Sequence, residues 1–240
     1  MLQHILTADE NEAKHYIQEI VDFEKNFPDH VKKYLATLAS AVSVLVDHGW
    51  YLPWPDRISQ GDLTKIVKLV KRSKWGDIEN FLVDFYECRV DAIQNEMTDR
   101  FPARKDALDQ AFTAHRTRQY FLSIPVFLAQ ADGIFVELTQ LEKGIFQRQK
   151  SLPMTQVWVS GLLLDDFTES YLQHLNRTST LIFNKAERTE QSINHGINRH
   201  AILHGESTDY GQRVNSFKAL SFLYFVKTTG ESATDLPPLT

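Results

Sequence analysis

The amino-acid sequence predicts an all-α protein, built as an antiparallel helical bundle. Apolar residues recur at intervals of three and four through most of its 240 residues, which is the period of an amphipathic helix. Proline and glycine interrupt these segments over short stretches, which suits tight connections between neighbouring helices. Alternation of apolar and polar residues, the signature of a half-buried strand, is almost absent.

Composition indicates a globular protein and argues against one class of function. Apolar residues make up 42% of the chain and charged residues 24%, which is ordinary for a folded domain long enough to bury a core. The net charge is −5, so the chain lacks the excess of lysine and arginine that predicts binding to bulk nucleic acid. A local basic site is compatible with this balance.

Cysteine usage and hydropathy predict a soluble cytoplasmic protein that does not associate with a membrane. Cys88 is the single cysteine, so neither an intramolecular disulfide nor a cysteine-rich metal site can form. The first ten residues lack the basic and then apolar pattern of a signal peptide. No run approaches the roughly 18 apolar residues of a membrane span, and Gly161–Leu164 is too short.

Residues 1–100 are predicted to form an N-terminal helical region. Pro28 suits the first turn of a helix, and Gly49 suits the left-handed residue that follows a helix end. The predicted helices span residues 8–25, 28–48, 63–74 and 77–98.

The stretch Trp50–Pro55 interrupts this pattern with three aromatic residues and two prolines. The prolines exclude a regular helix. The aromatic rings would form either a stacking platform for a base or a partner, or a loop that folds back and plugs the end of the bundle. Burial is the commoner use of clustered aromatic side chains, so the sequence favours the plug.

The predicted helix 63–74 carries five basic residues between its apolar positions. Such a face contacts phosphate in nucleic-acid-binding proteins. It is also an ordinary solvated helix face, which is the interpretation we favour. The five residues are Lys65, Lys68, Lys71, Arg72 and Lys74.

Residues 101–228 are predicted to form a second helical domain, either separate from the first region or continuous with it. Asp132 lies there in an apolar segment, and a buried acid usually has a basic partner, so we expect Asp132 to pair with Arg199. The predicted elements are helices at 103–118, 157–175, 185–204 and 212–228, a polar loop at 147–154, and a disordered tail at 229–240.

The most informative stretch places three histidines, an arginine and two asparagines beside aliphatic residues. It reads Asn194-His195-Gly196-Ile197-Asn198-Arg199-His200-Ala201-Ile202-Leu203-His204-Gly205. Its Arg-x4-His spacing resembles the signature of the HEPN superfamily, small all-helical domains many of which are metal-independent ribonucleases. The flank Thr208-Asp209-Tyr210-Gly211 and the segment His115…Tyr120-x-x-Ser123-Ile124-Pro125 resemble a group of bacterial HEPN-like proteins. This resemblance covers residues 114–134 and 194–226, and does not extend to the first hundred residues.

The resemblance implies an endoribonuclease in a toxin or antiphage role, with RNA as its substrate. It also implies a homodimer whose paired helices form a composite site, and a protein partner such as an antitoxin. No metal ion or cofactor is expected.

The resemblance assigns the catalytic roles to Arg199 and His204. Arginine suits phosphate binding because its planar fork grips phosphate and stays charged. Histidine suits proton transfer because its reference pKa lies near neutrality. The auxiliary candidates are Asn198, His200, His195 and Asp132, with Asn198 and His195 as orienting groups.

Helix geometry complicates this assignment. Residues five apart lie about 140° apart around an ideal helix, so Arg199 and His204 do not share a face. A helix that ends near Leu203, or a second subunit, would bring the two side chains together.

Two other interpretations stay open. His200 and His204 have the i, i+4 spacing of metal ligands, with His115, Glu206 and Asp209 as candidates for a third ligand. Alternatively, His204-Gly205 is simply a helix end, with histidine at the negative end of the helix dipole and glycine in the left-handed conformation. The chain would then be a non-catalytic helical module that binds RNA or a protein.

Overall fold

The computed structural model describes the backbone of residues 10–162, 164–177, 179–183 and 197–234, and within these ranges the side chains from residue 29 to residue 233. The described residues form ten α-helices and one two-stranded sheet, so the all-α prediction is confirmed. The helices are α1 (Glu10–Asp47), α2 (Gln60–Lys71), α3 (Trp75–Glu87), α4 (Val90–Arg100), α5 (Lys105–Arg116), α6 (Tyr120–Thr139), α7 (Met154–Val159), α8 (Asp166–Leu172), α9 (Arg199–Leu203) and α10 (Arg213–Thr234). Short 3-10 helices occupy Pro55–Arg57, Pro102–Arg104 and Gln173–Asn176.

Helix α1 corrects the first predicted break. The sequence places a boundary at Pro28, but one helix runs from Glu10 to Asp47. Proline lacks an N–H and so removes one main-chain hydrogen bond, and here that loss does not end the helix. Gly49 has a φ of 82°, as its predicted place after the helix end requires.

The predicted helix 77–98 is divided into α3 and α4 at Cys88 and Arg89. In a continuous helix the Arg89 amide would donate to the Phe85 carbonyl. Instead the Arg89 guanidinium donates to that carbonyl at 2.7 Å, and the Arg89 amide turns to the Tyr86 carbonyl at 3.0 Å. The side chain of Arg89 therefore takes the acceptor that would have continued the helix.

Helices α6 and α10 form the centre of the bundle, with α5 packed against α6. One cluster of buried apolar side chains extends from Leu38 in α1 to Val226 in α10, and so joins the two predicted regions. Helix α6 passes a length and composition test for a membrane span, with a mean hydropathy of 1.5, although the sequence analysis found no such run. Many of its apolar side chains, including Phe127 and Ile134, are buried against the neighbouring helices, whereas Phe121 and Leu122 in its first turn are exposed.

The aromatic stretch after α1 is buried, which confirms the predicted plug. Trp50, Tyr51 and Leu52 are at most 2% exposed. The Tyr51 amide donates to the Ser221 hydroxyl of α10 at 3.2 Å, and the Trp54 amide donates to the Thr228 hydroxyl at 3.0 Å.

The segment predicted as a polar loop at 147–154 contains a small antiparallel hairpin. Strand β1 (Arg148–Gln149) pairs with β2 (Leu152–Pro153), and Lys150 takes a φ of 52° in the two-residue turn between them. A two-residue turn needs such positive φ values to match the strand twist.

The last helix is longer than predicted. Helix α10 ends at Thr234 rather than at residue 228, so residues 229–234 are helical and not part of a disordered tail. Thr229 is fully buried, and the space at Gly230 is limited by Leu138 of α6. Packing against α6 therefore extends a helix whose glycine, serine and threonine content suggested disorder. The rest of the predicted tail lies outside the described residues.

Candidate functional site

The candidate site is built around the short helix α9, whose start is fixed by Asn198. The Asn198 side chain accepts a hydrogen bond from the Ala201 amide at 2.8 Å and caps the helix. Its amide nitrogen donates to the carbonyls of Thr180 and Phe183 at 2.7 and 2.8 Å. Asn198 therefore clamps α9 to the turn at 179–183.

This cap corrects the predicted motif helix 185–204. The helix begins at Arg199, and Asn198 before it has extended backbone angles. The Arg199 amide donates to the Leu181 carbonyl at 3.1 Å. Residues 185–196 of the predicted helix, including His195, lie outside the described residues.

Helix α9 ends at His204-Gly205, where the sequence placed a helix end. The last helical residue is Leu203, and Gly205 takes a φ of 71°. The amides of Glu206 and Ser207 both turn back to the Ala201 carbonyl, at 2.8 and 3.0 Å. A left-handed glycine followed by amides that return to the last turn is the usual way in which a helix end satisfies its carbonyls.

His200 and His204 lie together on one side of α9. Their ring centroids are 4.2 Å apart, with the planes inclined by 50°. His204 is exposed and His200 is half-buried. The two imidazoles are therefore adjacent, as the i, i+4 spacing predicts, and His204 is the more exposed of the two.

Arg199 is half-buried and lies over an aromatic ring. Its guanidinium carbon is 5.1 Å from the centroid of Phe146, within the range of a cation–π contact. Its Nε atom is buried and has no hydrogen-bond partner. Within the described part of the chain, no carboxylate pairs with Arg199 and no hydrogen bond links it to His204.

The predicted pair between Asp132 and Arg199 is wrong. The Asp132 carboxylate instead accepts a hydrogen bond from the Phe146 amide, at 3.4 Å. Gly144 passes so close to this carboxylate that a Cβ atom there would lie 2.2 Å from Oδ1. Asp132 is thus satisfied by the loop after α6, and it meets Arg199 only through their common neighbour Phe146.

Two residues of the segment 114–134, His115 and Ser123, form a buried polar network with Ser216 of α10. His115 Nδ1 and the Ser216 hydroxyl share a hydrogen bond of 2.7 Å, and Ser216 and Ser123 share one of 2.8 Å. Burial lowers the pKa of His115 to about 4, and the nearby Arg116 and Arg213 charges act in the same direction. His115 is therefore neutral at pH 7 and joins α5, α6 and α10.

The structure does not gather the residues named for a metal site. Across the described ranges, no three histidine, cysteine, aspartate or glutamate side chains are grouped so that they could hold a metal ion. His115, a candidate third ligand, uses its Nδ1 atom on Ser216.

The basic residues of α2 are exposed, as expected for a solvated helix face. Lys65 lies 4.3 Å from the centroid of the Phe81 ring in α3, and this contact covers part of its stem.

Phe146 is the residue of the site that sequence reasoning missed. It lies 53 positions before Arg199, in a loop without a motif, so neither helical spacing nor the resemblance points to it.

Comparisons with protein-family models, with curated proteins and with solved structures find no match for this chain.

Proposed function

We propose that this chain is a metal-independent endoribonuclease of the HEPN type. The observation that carries the proposal is the guanidinium of Arg199, which no carboxylate pairs with among the described residues. It lies on the same short helix as the two adjacent imidazoles. Half-buried arginines usually pair with an acid. An arginine held only by a ring keeps its charge and its donors for an anion such as phosphate.

The proposed reaction needs only these groups. The 2′-hydroxyl of a ribose attacks the adjacent phosphorus, the bond to the 5′-oxygen breaks, and the products are a 2′,3′-cyclic phosphate and a free 5′-hydroxyl. His204 accepts the proton of the 2′-hydroxyl and returns it to the leaving 5′-oxygen, and the neighbouring His200 supports its ring. Arg199 binds the phosphorane oxygens, where negative charge accumulates.

A homodimer completes the proposed site. In one chain Arg199 lies over Phe146, whereas His204 is exposed beyond the end of the helix. A second copy of α9 would bring the histidine pair of one protomer to the arginine of the other. This part of the proposal predicts that cleavage depends on protein concentration in the range where the dimer forms.

The test is cleavage of a mixed RNA pool in EDTA by the wild type, His204→Ala and Arg199→Ala. His30→Ala, which removes an exposed histidine of α1, is the matched control. We expect both site variants to lose at least about a hundredfold in rate, as removal of a proton-transfer group does, while His30→Ala keeps full activity. Equal cleavage by all four proteins would refute the assignment, and cleavage that EDTA abolishes would refute metal independence.

The second candidate is a non-catalytic helical module that binds RNA or a protein. It is favoured by the helix end at Gly205, which gives His204 a structural position, and by the separation of Arg199 from His204. RNA that stays intact during long incubation with pure dimer, but shifts in a binding assay that depends on Arg199, would support this candidate over the first.

A further inference from the structure

We propose that a cleft between α1 and the turn joining α2 to α3 binds a small organic anion that has an apolar body. The cleft has a volume of about 580 Å³ and is open to solvent on one side. Small-molecule sites in proteins occupy about 300–1,000 Å³, so the cleft has the size of such a site. Its lining residues belong to α1, α2 and the start of α3, and the inference does not rest on the proposed ribonuclease activity.

The rim of the cleft is cationic. Lys33 of α1 and Lys71 of α2 line it, and no aspartate or glutamate does. Within the described ranges, neither lysine has an ion-pair partner. In a chain with a net charge of −5, two unpaired cations on one cleft create a local positive potential that attracts anions.

Two acidic side chains near the cleft are engaged elsewhere. Asp47, at the end of α1, binds Arg177 at 2.6 Å. Asp77, in the first turn of α3, lies 4.0 Å from the Lys74 ammonium. The positive charge of the rim is therefore not cancelled by these two neighbours.

The interior of the cleft suits the apolar part of a ligand. Val44 of α1 and Val70 of α2 both line it. At one end the rings of His48 and Trp75 are stacked, with centroids 3.4 Å apart and planes inclined by 17°. These side chains are only partly buried, so a ligand would remove further apolar surface from water. Apolar walls with a few charged groups at the rim are the usual construction of a small-molecule site.

The test uses two dyes of almost equal shape. The anionic probe is 8-anilinonaphthalene-1-sulfonate, and the neutral probe is N-phenyl-1-naphthylamine, which lacks the sulfonate. Each is titrated by fluorescence into the full chain, first into the wild type and then into Lys33→Glu and Lys71→Glu. The matched controls are Lys32→Glu and Lys68→Glu, which change exposed neighbours of the same helices that do not line the cleft.

We expect each of the two cleft variants to lower the affinity for the anionic probe by about fivefold, which corresponds to the loss of one exposed ion pair. The two control variants should leave its affinity within about twofold, which is ordinary for exposed charges away from the site. None of the four should change binding of the neutral probe. Equal losses in the cleft and control variants would overturn the inference, because they would show attraction to a positive surface in general.

A second variant tests the location of the site. Ala36 is exposed and lines the cleft, so Ala36→Trp fills the cleft without entering the core. We expect this variant to lose both probes while its circular dichroism spectrum stays unchanged. Unchanged binding of both probes, or no saturable binding by the wild type, would overturn the inference.

Discussion

The guanidinium of Arg199 lies over the ring of Phe146, whose own amide donates to the carboxylate of Asp132. A ring contact holds an arginine in place but does not neutralise it, whereas a carboxylate would do both. The charge of Arg199 is therefore positioned and still available, which the predicted pair with Asp132 would have prevented.

Replacing Phe146 with leucine should lower the free energy of unfolding by about 1 kcal/mol through loss of the ring contact. Phe146 also contacts Phe222 at 5.5 Å, so the single variant does not isolate the arginine contact. A double-mutant cycle with Arg199→Met, measured by urea unfolding, separates the two. We expect a coupling energy of about 0.5–1 kcal/mol, and additive losses would show that the contact contributes nothing.

Asn198→Ala should destabilise the protein more than the loss of an ordinary helix cap. The cap itself contributes about 1 kcal/mol, and the carbonyls of Thr180 and Phe183 would lose a donor as well. Ser59→Ala is the control, because Ser59 caps α2 at an exposed position with a 3.0 Å bond from the Asp62 amide. Urea unfolding should show a larger decrease in the free energy of unfolding for Asn198→Ala than for Ser59→Ala. Equal decreases would mean that the clamp on the 179–183 turn does not stabilise the protein.

Gly144→Ala should cost about 1–3 kcal/mol, because the new methyl group would overlap the Asp132 carboxylate. Asp132→Ala in the same chain should recover part of that loss, since it removes the atoms that the methyl group meets. Gly76→Ala, in the first turn of α3, meets no atom within 4 Å and should be neutral or stabilising. Thermal melts of the wild type, Gly144→Ala, the double variant and Gly76→Ala test this prediction. A loss of stability that is as large in the double variant as in Gly144→Ala would show that the methyl group does not act through the Asp132 carboxylate.

Two buried histidines should make the fold sensitive to mild acid. Burial lowers the pKa of His115 to about 4 and that of His174 to about 3, from a usual value of 6.5. Above pH 6.5 both residues are neutral in the folded and unfolded states and have no effect. As the pH falls from 6.5 towards 4, the unfolded chain takes up protons that the folded chain does not, so the free energy of unfolding decreases.

Urea unfolding at pH 7, 6 and 5 measures this effect. Carboxylates also titrate near pH 5 and affect stability there, so the contribution of His115 is obtained by comparing the wild type with a variant that lacks this histidine. His115→Asn retains a polar atom near Ser216 but cannot be protonated, and its stability should fall less steeply with acid than that of the wild type. If the free energy of unfolding falls equally with pH in the wild type and in His115→Asn, then His115 does not contribute to the acid sensitivity.

Helical periodicity, together with the choice of residues at breaks, was enough to predict the fold class, the buried aromatic plug and the turn at Gly205. Helical periods and the turn at Gly205 depend on neighbours within a few positions of the chain, whereas the plug was predicted from the usual burial of clustered aromatic side chains. Two helix boundaries were predicted wrongly: two predicted helices are one helix through Pro28, and one predicted helix is divided at Cys88 and Arg89. Such boundaries depend on single hydrogen bonds, and the spacing of apolar residues carries no information about these.

The candidate site was predictable only in its local part. The spacing of His200 and His204 predicts that they are adjacent, and their rings are 4.2 Å apart. The partner of Arg199 was not predictable, because Phe146 is brought to it by the packing of the loop after α6 against α9. The charge rule that suggested Asp132 failed because the carboxylate accepts its hydrogen bond from a main-chain amide, that of Phe146, rather than from an arginine.

The bonds from Tyr51 to Ser221 and from Trp54 to Thr228 join positions that are 170 and 174 residues apart. Synthesis on the ribosome delivers the first of these partners long before the second. A nascent chain that has not yet released its last helix must therefore carry Trp50, Tyr51 and Leu52 without their native cover, a state that chaperones and proteases recognise. The core closes only when α10 arrives, so a message cut short before that helix should yield a product that is degraded rather than a smaller working domain.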